Sequence, residues 1–363
     1  MQLSRPWTAD EEIEAVSRVL QGGWLTQGPE VERLEGQVRD ATGRRHAMAV
    51  SSGTAALQLA VGALELDPGS EVLIPDFTFP ATANSVLLNG LVPRIVDIDL
   101  ATYNMRPDAA ADAIGPGTRG MMPVHQFGLM SDMRALGELA RERGLRVVED
   151  AACALGARSP VGAAGCLGDA GCYSFHPRKT ITTGEGGMVV CDDDRLAAHV
   201  RRMRNHGIEM TADGPVFVEP GFNLRMPDIC AAVGNVQLKR LDEAIERNRA
   251  LAAVYDELLA DISWIESPPE PDGYRHTRQT YAALLAPDVE RQPLMDALGE
   301  QHIETSIGAQ ALHRLEYLKP YLGDEGYPGG ERAAECVLCL PLHPGMTEED
   351  VERTVDALRE CGP

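Results

Sequence analysis

The chain is short of positive charge, lysine, aromatic side chains and long apolar runs, and each shortage excludes something. Against 55 Asp and Glu stand 33 Lys and Arg, for a formal net charge of −22. A field of that sign repels phosphate backbones and anionic headgroups, so neither nucleic acid nor membrane is an expected partner. An anionic small molecule would have to be held by a local cluster of Arg and backbone N–H groups. No apolar stretch reaches the roughly 20 residues of a membrane span, and Met1–Trp7 lacks the apolar core of a signal peptide. The eight cysteines are scattered, mostly in apolar surroundings, which predicts a reduced, cytoplasmic chain. Cys336-Val337-Leu338-Cys339 is a CxxC without a second pair or a nearby His, so it reads as a buried strand, and no metal is expected. Neither GxGxxG nor GxxxxGK[ST] occurs, which leaves dinucleotide and P-loop readings without support.

Lysine is the sharpest shortage. Lys179, Lys239 and Lys319 are the only three, the rest of the positive charge being arginine. A Lys amine can lose its proton and attack a carbonyl, whereas an Arg guanidinium cannot. Lys179 follows an apolar, β-prone run and precedes Thr180-Ile181-Thr182-Thr183-Gly184-Glu185-Gly186-Gly187, which places it at a strand end and not on a polar helix face.

With 363 residues and 44% hydrophobic content, the chain suits two domains with real cores. Residues 1–45 read as polar and helical. Strands are expected near 46–51, 71–76, 92–98, 118–125, 145–150, 169–176 and 186–191, with helices near 53–66, 80–89, 131–143 and 193–204. Such alternation predicts an α/β fold with a mostly parallel seven-stranded sheet covered on both faces. A long helical segment follows over 227–260, then strands near 277–286 and 334–340 and helices near 290–300 and 347–360. The last helix opens with the capping-box form Thr347-Glu348-Glu349-Asp350. The division expected is a large domain over 1–245, with an N-terminal arm, and a smaller C-terminal α/β domain over 246–363.

Ligands of such sheets bind beyond the carboxyl ends of the strands. Ser51-Ser52-Gly53-Thr54-Ala55-Ala56 runs from a strand into a helix, where small residues and a helix N-terminus suit a phosphate; Ser52 or Thr54 could equally just cap the helix. Phe77 and Phe79 follow the next strand, and one of them could be a platform for a ring or simply core. Asp150 ends an apolar strand and needs a cationic partner or hydrogen bonds there, unless it caps the next turn. Ser174 lies five residues before Lys179. An amine for a Schiff base, a carboxylate for a pyridinium nitrogen, a ring to stack and a helix N-terminus for a phosphate together make the kit for pyridoxal phosphate.

In that order the segments 23–29, 51–57, 149–152, 174–179, 183–187 and 223–232 resemble the DegT/DnrJ/EryC1/StrS family of sugar aminotransferases, of the aspartate-aminotransferase class with fold type I, almost end to end. The resemblance implies that Lys179 forms the Schiff base with pyridoxal phosphate, and that Asp150 keeps the pyridinium nitrogen protonated. It implies that Phe79 stacks on the ring and that Gly53, Thr54 and Ser174 hold the phosphate. It also implies a homodimer whose partner completes the phosphate site through Asn223 or Arg225. The family often has Gln or His beside the ring's phenolic oxygen, and this chain has Cys153, a weaker hydrogen-bonding group. His176 and His313 are candidate substrate contacts, against a bland reading as structural or surface histidines. The implied activity moves an amino group from an amino acid, glutamate or glutamine, to a keto sugar, nucleotide-linked, or to a cyclitol ketone. The alternatives are sugar deoxygenation, against which Lys at 179 speaks because that branch replaces it with His, and a non-catalytic relative.

Overall fold

The computed structural model describes residues 1–323 and 326–363. Seven strands form its main sheet: β1 (His46–Val50), β2 (Glu71–Pro75), β3 (Val92–Val96), β4 (Thr118–Met121), β5 (Arg146–Asp150), β6 (Ala170–Ser174) and β7 (Gly187–Cys191). Their spatial order is β1-β7-β6-β5-β4-β2-β3. The five strands from β6 to β3 are parallel, and β7 runs antiparallel to both its neighbours. Apolar side chains point to both faces, as a doubly covered sheet requires. On one face Met48, Ile74, Val148 and Cys172 pack with helices α3 (Gly53–Gly62) and α4 (Ala81–Leu87). On the other, Ala47, Val147 and Tyr173 pack with α2 (Pro29–Thr42) and the helix Met133–Arg143. The seven expected strands are all present, shorter at their ends by a few residues.

Ahead of the sheet lies α1 (Asp10–Gly22), followed by α2. The start of α2 is held from a distance: the Asp228 carboxylate accepts the N–H groups of Gly28 (2.8 Å), Val31 (3.1 Å) and Glu30 (3.2 Å). Its charge also suits the positive end of the helix dipole.

A second, antiparallel sheet joins β8 (Ile265–Glu266), β9 (Tyr281–Leu285) and β10 (Val337–Leu340) in that order. It shares a core of Tyr255, Tyr281, Leu298, Leu338 and Val355 with the helices Leu241–Leu259, Arg291–Glu300 and Glu348–Cys361. The last of these carries the expected capping box between Thr347 and Asp350.

Three local expectations need correction. The helical stretch 227–260 is not continuous, because a 3₁₀ turn at Leu238–Arg240 separates Asp228–Gln237 from Leu241–Leu259. The expected strand 334–340 begins only at Val337, since 334–336 close the helix Pro328–Cys336. Cys336 therefore ends a helix and only Cys339 lies in a strand, both buried. The physical reason is a cap that the local sequence lacks: the Asp97 carboxylate, after β3, accepts the N–H groups of Gly329 (3.1 Å) and Gly330 (2.9 Å). Pro328, at the first helical position, needs no such partner. Outside the stretches with a stated expectation, a hairpin of Ile208–Thr211 and Gly214–Phe217 projects Met210, Val216 and Phe217 into solvent. Among the described residues, no helix is long and apolar enough to cross a membrane.

Candidate active site

Asp150 is the last residue of β5, the central strand of the seven. The strand's ladder carries it to the carboxyl edge, and its backbone is fixed there by Asp150 N–H to Pro123 (2.9 Å) and His125 N–H to Asp150 (3.0 Å). Its side chain is buried and accepts two hydrogen bonds, from the Thr82 hydroxyl (2.9 Å) and the Ala152 N–H (3.2 Å). Burial pushes its pKa above the usual carboxylate range, against the pull of Thr82, the Ala152 N–H and the Lys179 charge. Among the described residues, no cation lies within ion-pair distance of it. A buried carboxylate in that condition fits a ring N–H⁺ set against it.

Lys179 lies in the turn after β6. Phe175 N–H bonds Gly186 (2.9 Å), Thr183 N–H bonds Phe175 (3.0 Å) and Lys179 N–H bonds His176 (2.8 Å), closing the loop back toward β7. The Lys179 Nζ donates to Cys153 Sγ at 3.0 Å. Cys153 stands three residues beyond Asp150, so amine, thiol and carboxylate share one edge of the sheet.

Beside them is the start of α3. Ser52 does cap this helix, its Oγ accepting the Ala55 N–H at 3.1 Å. That leaves Gly53 and Thr54 as first-turn donors with no intrahelical carbonyl to bond. A side chain on Gly53 would place its Cβ 2.7 Å from Ser174 Cβ, a separation that atoms do not tolerate. Glycine at 53 thus lets the helix N-terminus press directly against Ser174 at the end of β6. These residues make a small, donor-rich cradle of the kind that takes a phosphate.

The two phenylalanines after β2 divide the alternatives between them. Phe77 is core, edge-on to Phe127 and tilted against Tyr103. Phe79 is 69% exposed, on the turn that leads into α4 and Thr82. Arg225 binds Asn205, and its backbone bridges Val50 at the end of β1; Asn223 bridges Asn205. Neither of these two side chains bonds to Lys179, Asp150 or Ser174 within the chain. His176 is half-buried; burial lowers its pKa, with Glu185 opposing. His313 is pinned, donating from its backbone N–H to one Asp76 oxygen (2.8 Å), with Nδ1 2.7 Å from the other, and it stacks on Tyr327. Asp76 raises the His313 pKa.

The sequence reading missed Thr82. Its signal was a hydroxyl in the first turn after Phe79, on the helix facing Asp150. It also missed the buried pair behind the site, His125 Nε2 to Glu149 at 2.9 Å, which only the pairing of β4 and β5 brings together.

Residues 6–359 match the DegT/DnrJ/EryC1/StrS aminotransferase family. The chain is 35% identical to the spore coat polysaccharide biosynthesis protein SpsC of Bacillus subtilis (strain 168), over 98% of this chain and 96% of that one. Among solved structures it is similar to the aminotransferase TlmJ from Streptoalloteichus hindustanus, with a TM-score of 0.93 at 32% identity, covering 99% and 98% of the two chains. Spr1654 of Streptococcus pneumoniae, in its PMP form, superposes with a TM-score of 0.94 at 26% identity and the same coverage.

Proposed function

The chain belongs to the DegT/DnrJ/EryC1/StrS aminotransferase family, a pyridoxal-phosphate-dependent family of sugar aminotransferases, and we propose that its substrate is a keto sugar, nucleotide-linked, aminated at the expense of glutamate or glutamine. The fold is the α/β fold of its aminotransferase neighbours. The observation that carries the residue assignment is the Lys179 amine held at the same sheet edge as Asp150, a buried carboxylate that makes no ion pair among the described residues.

When bound, pyridoxal phosphate supplies an electron sink for the pair left on carbon when a proton departs. The chain's own residues do the rest. Lys179 Nζ holds the cofactor covalently between turnovers. Released, the same amine takes a proton from the amino donor's α-carbon as general base and returns it as general acid. Asp150 keeps a positive charge opposite it, and Thr82 and the Ala152 N–H fix the carboxylate's direction. Gly53, Thr54 and Ser174 hold the phosphate, and Phe79 covers the ring. Cys153 sits beside Lys179 Nζ. His176 and His313 are the candidate sugar contacts.

A second copy of the chain completes the phosphate site through Asn223 or Arg225, in a homodimer with shared sites. The boundary between large and small domains falls at 245/246, and the enzyme works in the cytoplasm. Borohydride reduction of the loaded enzyme followed by peptide mapping tests the assignment: the cofactor should be fixed on Lys179. A borohydride-reducible chromophore persisting in Lys179→Ala would sink it. Half-reactions of the aminated enzyme against a panel of keto sugars and cyclitol ketones test the substrate. Turnover with no amino donor, giving a deoxy product, would point to the deoxygenating branch instead.

A further inference from the structure

We propose that Cys153 and Lys179 are a peroxide-sensitive pair, able to close into a covalent Sγ–Nζ bond whenever the lysine amine is free. The geometry is already set, with Nζ donating to Sγ at 3.0 Å. Cys153 is partly exposed, whereas Cys172, Cys191, Cys336 and Cys339 are buried. Exposure is one of the two properties that select a thiol for oxidation. The lysine's four-carbon stem is flexible enough to close the remaining gap without moving backbone.

The chemistry balances in two steps. Hydrogen peroxide transfers an oxygen to the thiol, giving Cys153–SOH and water; the sulfur is oxidised by two electrons and the peroxide is reduced. The Nζ lone pair then attacks Sγ, the S–N bond forms, the S–OH bond breaks, and the hydroxyl leaves with an Nζ proton as water. The product is the chain less two hydrogen atoms. An added thiol attacks Sγ, breaks the S–N bond and returns the amine. The consequence for cofactor uptake rests on Lys179 being the cofactor lysine; the bond itself does not.

The experiment treats full-length, cofactor-free enzyme with hydrogen peroxide and maps its tryptic peptides by mass spectrometry. The peptide containing Cys153 should appear joined to that containing Lys179, lighter by two hydrogens than their sum, with cleavage after Lys179 blocked. Dithiothreitol should reverse this. Oxidised enzyme should fail to develop protein-bound absorbance with pyridoxal phosphate until thiol is added, and enzyme loaded beforehand should resist. Cys153→Ser should form no bond, and its cofactor uptake, whatever its level before treatment, should be the same after peroxide. In Lys179→Arg, Cys153 should oxidise without bridging. Cys153 recovered as sulfinic acid, or in a disulfide with Cys339, beside a free Lys179 peptide, would overturn the proposal. If the bond forms but borohydride fixes the cofactor on another lysine, the cofactor assignment falls and the bond stands.

Discussion

Glu149 and Asp150 are consecutive, both buried, and on opposite faces of the same strand, yet their surroundings are opposite in kind. Glu149 is saturated. It accepts from His125 and from the N–H groups of Gly165, Leu167 and Gly168, at 2.5–2.9 Å. Burial pushes its pKa up, but His125 and the N–H groups of Gly168 and Leu167 outweigh that and hold it below the usual carboxylate range. Asp150 has two donors, and burial wins. One carboxylate ties the 165–168 loop to the sheet. Its neighbour accepts from Thr82 and the Ala152 N–H and keeps bonding capacity in reserve. Electrostatic satisfaction, more than burial, separates the carboxylate tied into the fold from the one proposed above for the chemistry.

Substitutions can break this contrast. Asp150→Asn should lower kcat/KM about 10²- to 10³-fold with the fold intact by circular dichroism, since a preorganised charge is lost; near-normal activity would remove Asp150 from the mechanism. Glu149→Gln should cost about 1.5–3 kcal/mol of stability by denaturant titration, the scale for a hydrogen bond to a charged group. Thr82→Val takes one charged-acceptor hydrogen bond from Asp150, worth about 1.5–3 kcal/mol. It should lower kcat/KM roughly tenfold and raise the Asp150 pKa further. The smallest effect is also the most diagnostic. In cofactor-free enzyme Asp150→Asn should gain about 1 kcal/mol at pH 7, because it removes an under-satisfied charge.

The pH dependence of the two acids has opposite signs. Glu149, lowered in the fold, contributes stability above the ordinary carboxylate pKa and loses it as pH falls through its lowered value. Asp150, raised, favours the fold at low pH, and that contribution is lost as pH rises through its raised value. The advantage of Asp150→Asn should therefore shrink on acidification, and an advantage that grows would reverse the assignment.

Much of this was legible in the sequence because it is local. Each main strand is an apolar run bounded by turn residues. Gly53 and Asp150 stand where strands end, and Lys179 stands just beyond one. The unread parts depend on residues far apart in the chain. Phe79 could not be told from Phe77 as the exposed ring, since their fates depend on Tyr103 and Phe127. The helix at Pro328 takes its cap from Asp97, and that at Pro29 from Asp228. His125 finds Glu149 only once β4 and β5 lie side by side. His313 could be a substrate ligand or a structural group by sequence, and its tie to Asp76 comes from a segment at 310–311 that pairs with 77–78.

The position of β1 has a consequence for synthesis. It is an edge strand whose one neighbour in the sheet is β7, from His46 paired with Cys191 to Val50 paired with Gly187. A ribosome makes the first strand long before its partner, and the Asp228 that secures α2 emerges later still. Pairings so distant in sequence form slowly and leave apolar strands unpartnered meanwhile. Nascent chains arrested before residue 187 should therefore be protease-sensitive throughout residues 29–50, and those extended past 228 should be resistant there.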